Sequence, residues 1–418
     1  MNMSDTTTNE DEMIGPVPRV TIQAFCDTPD IAQALQAAGE DRRMHKAHLR
    51  VQAGGAPAAV AAFAQAPTPN VIILEVEREG QKDFLDQLDR LAQVCDAGTK
   101  VLVVGHVNDV LLYRDLVRRG VSDYLIAPIS PIDAVRAISG LFTNPGAEPV
   151  GRIVAVVGAK GGVGASTVAH NLAWSFSRDL DTATVVADLD IAFGTAGLDF
   201  NQDPPQGIAE AIFAPDRLDA NVVDRLMSKC SEKLSLLAAP AMLERTCDLT
   251  ETAFDQLFDL LRASVPCIVL DIPHVWCAWS RRTLLAADDI VVVAAPELAS
   301  LRNTKNIVDL LRQNRPNDRP PHVVLNQVGI PKRPEIATVD FAKAIGQDLT
   351  AEMPFDANLF GTAANNGQML AEIQPGCRPA EIFTEIAATV FGRPEIGKKS
   401  GGLFEPILAK LTRRKKAS

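Results

Sequence analysis

The sequence predicts an α/β chain built as two successive units, each around a mostly parallel sheet. Apolar strand-like runs alternate with helix-like segments along most of its 418 residues. The alternation is interrupted once, by the proline- and glycine-bearing stretch Thr143–Gly151 (TNPGAEPVG). Strands separated by helices pair in parallel and need cover on both faces, and a chain of this length exceeds one core of ordinary size.

Composition narrows the function classes. Hydrophobic residues at 47% and charged residues at 22% describe a folding chain and not a disordered one. A net charge of -11 excludes broad binding to phosphate backbones, so no specific nucleic acid is expected as a partner. No run approaches the roughly 20 apolar residues of a membrane span. The start, MNMSDTTTNEDEM, is acidic and polar, the opposite of a secretory signal. The seven cysteines are scattered and form no CxxC, which suits reduced thiols better than a disulfide framework or a zinc site. The expected location is cytoplasmic.

Taken in order, residues 1–16 read as a tail. A first unit spans 17–142, with strands at Val20–Phe25, Val71–Val76, Val101–Val104 and Tyr124–Ile126 and helices at Asp109–Arg119 and Pro131–Leu141. After the linker 143–151, a second unit spans 152–392, with strands near Ile153–Val157, Thr184–Asp188, Cys267–Asp271, Ile290–Ala294 and His322–Asn326. Residues 393–418 form a Gly- and Lys-rich tail.

The strongest motif is IVAVVGAKGGVGASTVAHNLAWSF, Ile153–Phe176. An apolar strand enters a glycine-rich turn, and a helix follows, opened by Ser166 and Thr167. Glycines let backbone N–H groups converge on phosphate oxygens, and the helix N-terminus adds a favourable dipole. The lysine that the P-loop pattern places after Gly164 reads Ala165. Two aspartates, Asp188 and Asp190, leave the strand in VVADLDIAFG, and CIVLDIP delivers a third, Asp271. An aspartate at a strand end commonly caps a turn, but three aspartates at two strand ends following a phosphate loop suit a magnesium–nucleotide site.

This set resembles the ParA/MinD family of P-loop ATPases, of SIMIBI type, with its deviant Walker A loop KGGxGK[ST]. The resemblance covers about residues 151–392 and implies ATP and Mg²⁺ as cofactors. It assigns Lys160, Gly161, Gly162, Val163, Gly164, Ala165, Ser166 and Thr167 to the phosphates, with Lys160 as the signature lysine that reaches a dimer partner's nucleotide. It assigns Ser166, Asp188 and Asp271 to the metal and Asp190 to the attacking water. Asn326, in HVVLNQVG, matches the asparagine that reads adenine, and Pro354 and Asp356 match a late segment beside the base. With Ala165 in place of lysine, nucleotide binding is expected to outlast fast hydrolysis.

The first unit resembles a response-regulator receiver, a flavodoxin-like domain, in degenerate form. The acidic pair reads Cys26–Asp27, the phosphoacceptor position Glu75, the hydroxyl position Gly105 and the lysine position Ala127. Glutamate carries the charge but is one methylene too long for the same acyl phosphate geometry. The unit is expected to act as an interaction or dimerisation module, with a cis bond before Pro128. Joined to the Ala165 loop, it is similar to the CpaE/TadZ family of the Flp (tight-adherence) pilus system. That resemblance implies a homodimeric factor that marks the assembly site or cell pole and recruits pilus assembly and secretion proteins.

Residues 398–418 carry seven Lys or Arg against one acid, Glu405. Leu403, Phe404, Ile407, Leu408 and Leu411 share one helical stripe, as in the membrane-binding tail of MinD, so 403–416 is a candidate contact with an anionic membrane; a docked or solvated helix is the alternative. Three other functions remain open. A septum, chromosome or flagellar placement ATPase is opposed by the receiver-like unit and Ala165. A redox ATPase like the nitrogenase iron protein is suggested only by Cys247 and Cys277 flanking Asp271, and a cluster needs four placed thiolates. A phosphorelay regulator is opposed by Glu75, Gly105 and Ala127.

Overall fold

A computed structural model describes residues 14–76, 81–96, 98–143, 150–204, 206–240, 243 and 248–392. The tail 393–418, with its 403–416 stripe, and Cys247 lie outside the described residues. The described residues form two compact units: one within 1–150 together with Arg312–Arg319, the other from Gly151 to Leu311 and from Pro320 onward.

The first unit is a five-stranded parallel sheet of β1 (Thr21–Cys26), β2 (His48–Ala53), β3 (Val71–Val76), β4 (Lys100–Gly105) and β5 (Asp123–Ile126), in the order β2-β1-β3-β4-β5. That is the flavodoxin-like order of a doubly wound sheet. Its central strand VIILEV is buried at all six positions because helices cover both faces. Ile22, Ala24 and Ile73 pack on one face and Phe25, Ile72 and Leu74 on the other, as the period-two alternation of side chains requires. The Ala127–Pro128 bond is cis, as expected.

The second unit holds β6 (Arg152–Gly158), β7 (Thr184–Asp188), β8 (Ser228–Lys229), β9 (Leu234–Leu237), β10 (Cys267–Ile272), β11 (Asp289–Ala294), β12 (His322–Val328) and β13 (Ala351–Pro354). Their order is β13-β12-β11-β6-β10-β7-β9-β8, parallel except for the β8–β9 pair. The helix Ala165–Arg178 follows β6 and buries nine of its residues, from Val168 to Ser177. The strand ends that carry Gly158, Asp188 and Asp271 lie side by side: Asp271 is registered with Asp188 on β7 and with Val156 on β6. In open α/β sheets the carboxyl ends of the strands are where ligands bind.

Candidate nucleotide site

The loop between β6 and the helix Ala165–Arg178 is held open by its carbonyls. His274 Nδ1 donates to Gly158 O at 3.0 Å, which fixes the proton on that nitrogen. Asn303 Nδ2 donates to Ala159 O at 2.8 Å, Gln327 Nε2 to Gly162 O at 3.0 Å, and Asn326 Nδ2 to Val163 O at 2.8 Å. Four of the peptide oxygens over residues 158–163 are thus tied back by side chains from three other segments. Gly162 and Gly164 take positive φ values of 81° and 86°, which glycine alone adopts without strain. A Cβ on Gly164 would come within 2.5 Å of Asn326 Nδ2. The first N–H groups of the helix have no intrahelical acceptor, and the half-buried hydroxyls of Ser166 and Thr167 have no hydrogen-bond partner among the described residues.

Two departures from the P-loop pattern are visible. Ala165 is the first residue of the helix, so no side-chain cation comes from that position. Ala159 replaces the pattern's leading glycine. It fits because its φ is not positive and its N–H pairs with Val293 O at 2.8 Å. Lys160 is about half exposed and its Nζ lies 2.5 Å from Glu297 Oε1 of the same chain.

Below the loop sit two buried carboxylates, Asp188 and Asp271. Asp188 accepts from the N–H groups of Asp190 at 3.0 Å and Ala196 at 3.1 Å. Burial, and next the charge of Asp271, push its carboxyl up to about 7. The cation they face is His170, fully buried on the helix Ala165–Arg178. Burial alone would lower its pKa, but the hydrogen-bonded carboxylate of Asp199 and the nearby charge of Asp271 push it up to about 10. One imidazolium beside this carboxylate pair leaves negative charge uncompensated, and a magnesium ion needs only one or two carboxylates with nucleotide phosphates. The donor set therefore fits Mg²⁺. Asp190 is half-buried and accepts from Phe193 N at 3.0 Å, shaping the turn that follows β7.

The residues expected beside the base all have partners or structural roles within the chain. Both ends of the buried Asn326 amide are engaged within the chain, Nδ2 as above and Oδ1 accepting from Gln327 N at 2.8 Å. As placed, Asn326 braces the loop, and reading adenine requires breaking these bonds. Pro354 ends β13, and Asp356 caps the helix Ala357–Asn366 by accepting from Asn358 and Leu359 N–H at 3.1 and 2.9 Å. His170, His274, Asn303 and Gln327 were not singled out in the sequence. Only His170 carried a signal: it stands four residues after Ser166 and so shares a helical face with it.

In the receiver-like unit, Glu75 fills its own acidic pocket. Oε2 accepts from Asp27 N at 2.8 Å and Thr28 N at 2.9 Å, while Oε1 accepts from Thr28 Oγ1 at 2.7 Å and pairs with His106 Nε2 at 2.9 Å. Burial opposes ionisation, but the bonds from Thr28, His106 and Asp27 hold the carboxyl below its usual range. Gly105 replaces a hydroxyl residue because Tyr124 occupies that space: a Cβ there would come within 2.1 Å of the phenol oxygen, which donates to Val107 O.

The second unit therefore has the P-loop fold of the ParA/MinD ATPases. A ParA family ATPase from Chlorobium tepidum TLS superposes with a TM-score of 0.52 at 23% identity, covering 56% of this chain and 98% of that one. Residues 151–319 match the AAA_31 family, an AAA domain. The septum site-determining protein MinD of Synechocystis sp. is 26% identical over 252 residues, 58% of this chain and 90% of that protein. The pilus assembly protein CpaE from Caulobacter crescentus is 45% identical to the N-terminal part, over 32% of this chain and all of that structure, with a TM-score of 0.30. Both resemblances read in the sequence, to CpaE and to the ParA/MinD ATPases, are met.

Proposed function

We propose that this chain is an ATP-binding positioning factor for Flp (Tad) pilus assembly, acting as a nucleotide-dependent homodimer that marks the assembly site and recruits the secretion machinery. The observation that carries the nucleotide part is the loop whose carbonyls are drawn back by His274, Asn303, Gln327 and Asn326. Drawing a carbonyl outward turns peptide dipoles so that neighbouring N–H groups face the cradle, which is how such loops hold phosphate oxygens. Residues 160–167 hold the phosphates. Ser166, Asp188 and Asp271 hold Mg²⁺, which supplies charge neutralisation for a transferring phosphoryl group. Asp190 orients the attacking water, and Pro354 and Asp356 border the base.

The process is read from the pairing of an Ala165 phosphate loop with a receiver-like unit whose phosphoacceptor position is Glu75. The protein works in the cytoplasm and at the inner membrane surface, through residues 403–416. No helix among the described residues is long and apolar enough to cross a membrane. Deleting the gene and imaging pili and septa tests the process. Loss of surface pili with normally placed septa is expected. Intact pili with misplaced septa overturns the pilus reading in favour of a MinD-like role. Calorimetry of the purified protein with ATP, with and without Mg²⁺, tests the site.

A further inference from the structure

We propose that His170 is a positioning residue that ties the carboxylate pair of the nucleotide site to the segment 193–200. Its Nδ1 lies 2.7 Å from Asp199 Oδ2 and its Nε2 3.3 Å from Asp271 Oδ2. The second approach is within ion-pair distance but poorly aligned, so Nε2 is a fully buried polar atom without a hydrogen-bond partner, aimed at the site. Buried polar atoms left unpaired are costly, and each such case needs an explanation. The ring rests against Phe200 with centroids 5.4 Å apart.

The connections close on themselves. Asp199 ends the short helix Ala196–Asp199, whose first N–H, on Ala196, donates to Asp188 Oδ2. Asp188 stands beside Asp271 across the β7–β10 pair. Asp271, His170, Asp199 and Asp188 therefore form one ring of contacts, with two carboxylates at the site and the turn 196–199 at the far side. That turn carries Leu198 and follows Phe193, both 71% exposed, so the ring of contacts reaches an apolar surface. A small change in the Asp271 carboxylate brings Nε2 into line, and the same rigid ring moves Nδ1 and its hold on Asp199. An imidazole anchored by a carboxylate on one nitrogen orients what its other nitrogen meets, and removing such a partner commonly lowers metal affinity about 10- to 100-fold.

The inference rests on the reading of Asp271 as a magnesium-facing carboxylate. The test uses the full chain with ATP and MgCl₂, His170→Gln and Asp199→Asn, hydrogen exchange of peptides covering 190–202, and ATP titrations with and without Mg²⁺. In the wild type, Mg–ATP slows exchange over 190–202. His170→Gln is expected to abolish that response and to weaken the Mg²⁺ dependence of ATP binding by about tenfold or more. Asp199→Asn is expected to abolish the exchange response while Mg–ATP still binds. If His170→Gln does not fold, Asp199→Asn decides. Wild-type exchange responses in both variants overturn the proposal and leave His170 a packing residue. A wild type that binds ATP but shows no Mg²⁺ dependence overturns the assignment of Asp271 instead, and the coupling with it.

Discussion

Ala165 stands where phosphate loops commonly place a lysine, at the first position of a helix and half-buried. The rest of the loop is held by side chains and glycines, so on the proposed function the site is expected to bind through oriented N–H groups while lacking one cation at the transferring phosphate. Ala165→Lys is expected to raise ATP turnover by about 100- to 1000-fold, the scale on which one such donor acts. Phosphate release by the purified chain checks this; an unchanged rate would show that the defect lies elsewhere, in Asp190 or in the closure of the site. Glu75 is the matching case in the first unit. Its carboxylate accepts from two backbone N–H groups on one oxygen, and an amide NH₂ facing them would set donor against donor. Glu75→Gln is expected to cost about 1–3 kcal/mol in urea unfolding. Because the folded carboxyl is held below its ordinary value, its contribution is present above pH ~4.3 and fades as the pH falls through the lower folded value. The gap between wild type and variant should therefore narrow in acid, and a gap that widens there would contradict the assigned charge. Acetyl phosphate should add no phosphate to either protein.

At the scale of elements, most of the site was legible because chain-local patterns carry it: the glycine turn, the strand-end aspartates and the helix after the loop. What was not legible came from the edges and from distant contacts. The strand β2 (HLRVQA) and the strand β13 (AEMP) border their sheets and bury little, so neither shows an apolar run. The strands β8 and β9 are two and four residues long. The clasps from His274, Asn303 and Gln327 join residues 116 to 165 positions apart, and no spacing rule marks such pairs. They also add a role for Asn326, which braces the loop. Asn326→Ala would leave Val163 O and Gln327 N without partners and open space beneath Gly164. A buried acceptor left unpaired costs about 1–3 kcal/mol, so ATP affinity is expected to fall roughly 5- to 150-fold if that cost is borne by the ordered loop. Calorimetry on Asn326→Ala and Gln327→Ala measures it. Equal affinities in wild type and both variants would mean that the loop orders itself, and selective loss of ATP over GTP binding in Asn326→Ala would support the base-reading role.

At the scale of the whole molecule, Lys160 and the basic tail are the two features expected to link nucleotide to assembly and location. Lys160 is held by Glu297 of its own chain, a half-exposed ion pair of the kind worth only about 0–1 kcal/mol. A partner's phosphates offer a denser charge, so exchanging Glu297 for them favours a symmetric dimer, the common form of self-assembly. Lys160→Ala is then expected to weaken ATP-dependent dimerisation in light scattering. On the proposed function, dimerisation is in turn expected to set membrane affinity. Arg413, Arg414, Lys415 and Lys416 each contribute about 1 kcal/mol near an anionic surface, roughly 4 kcal/mol together. That corresponds to a Kd near 1 mM before the stripe from Leu403 to Leu411 adds its burial. One tail therefore binds weakly. Two tails on a dimer gain about 10²- to 10⁴-fold from linkage without any new contact. Sedimentation with anionic liposomes should show ATP-dependent pelleting of the full chain, reduced in Lys160→Ala and absent from a chain ending at Ser400. Equal pelleting of the full and shortened chains would remove the tail from the mechanism and place the address of the protein in its protein partners.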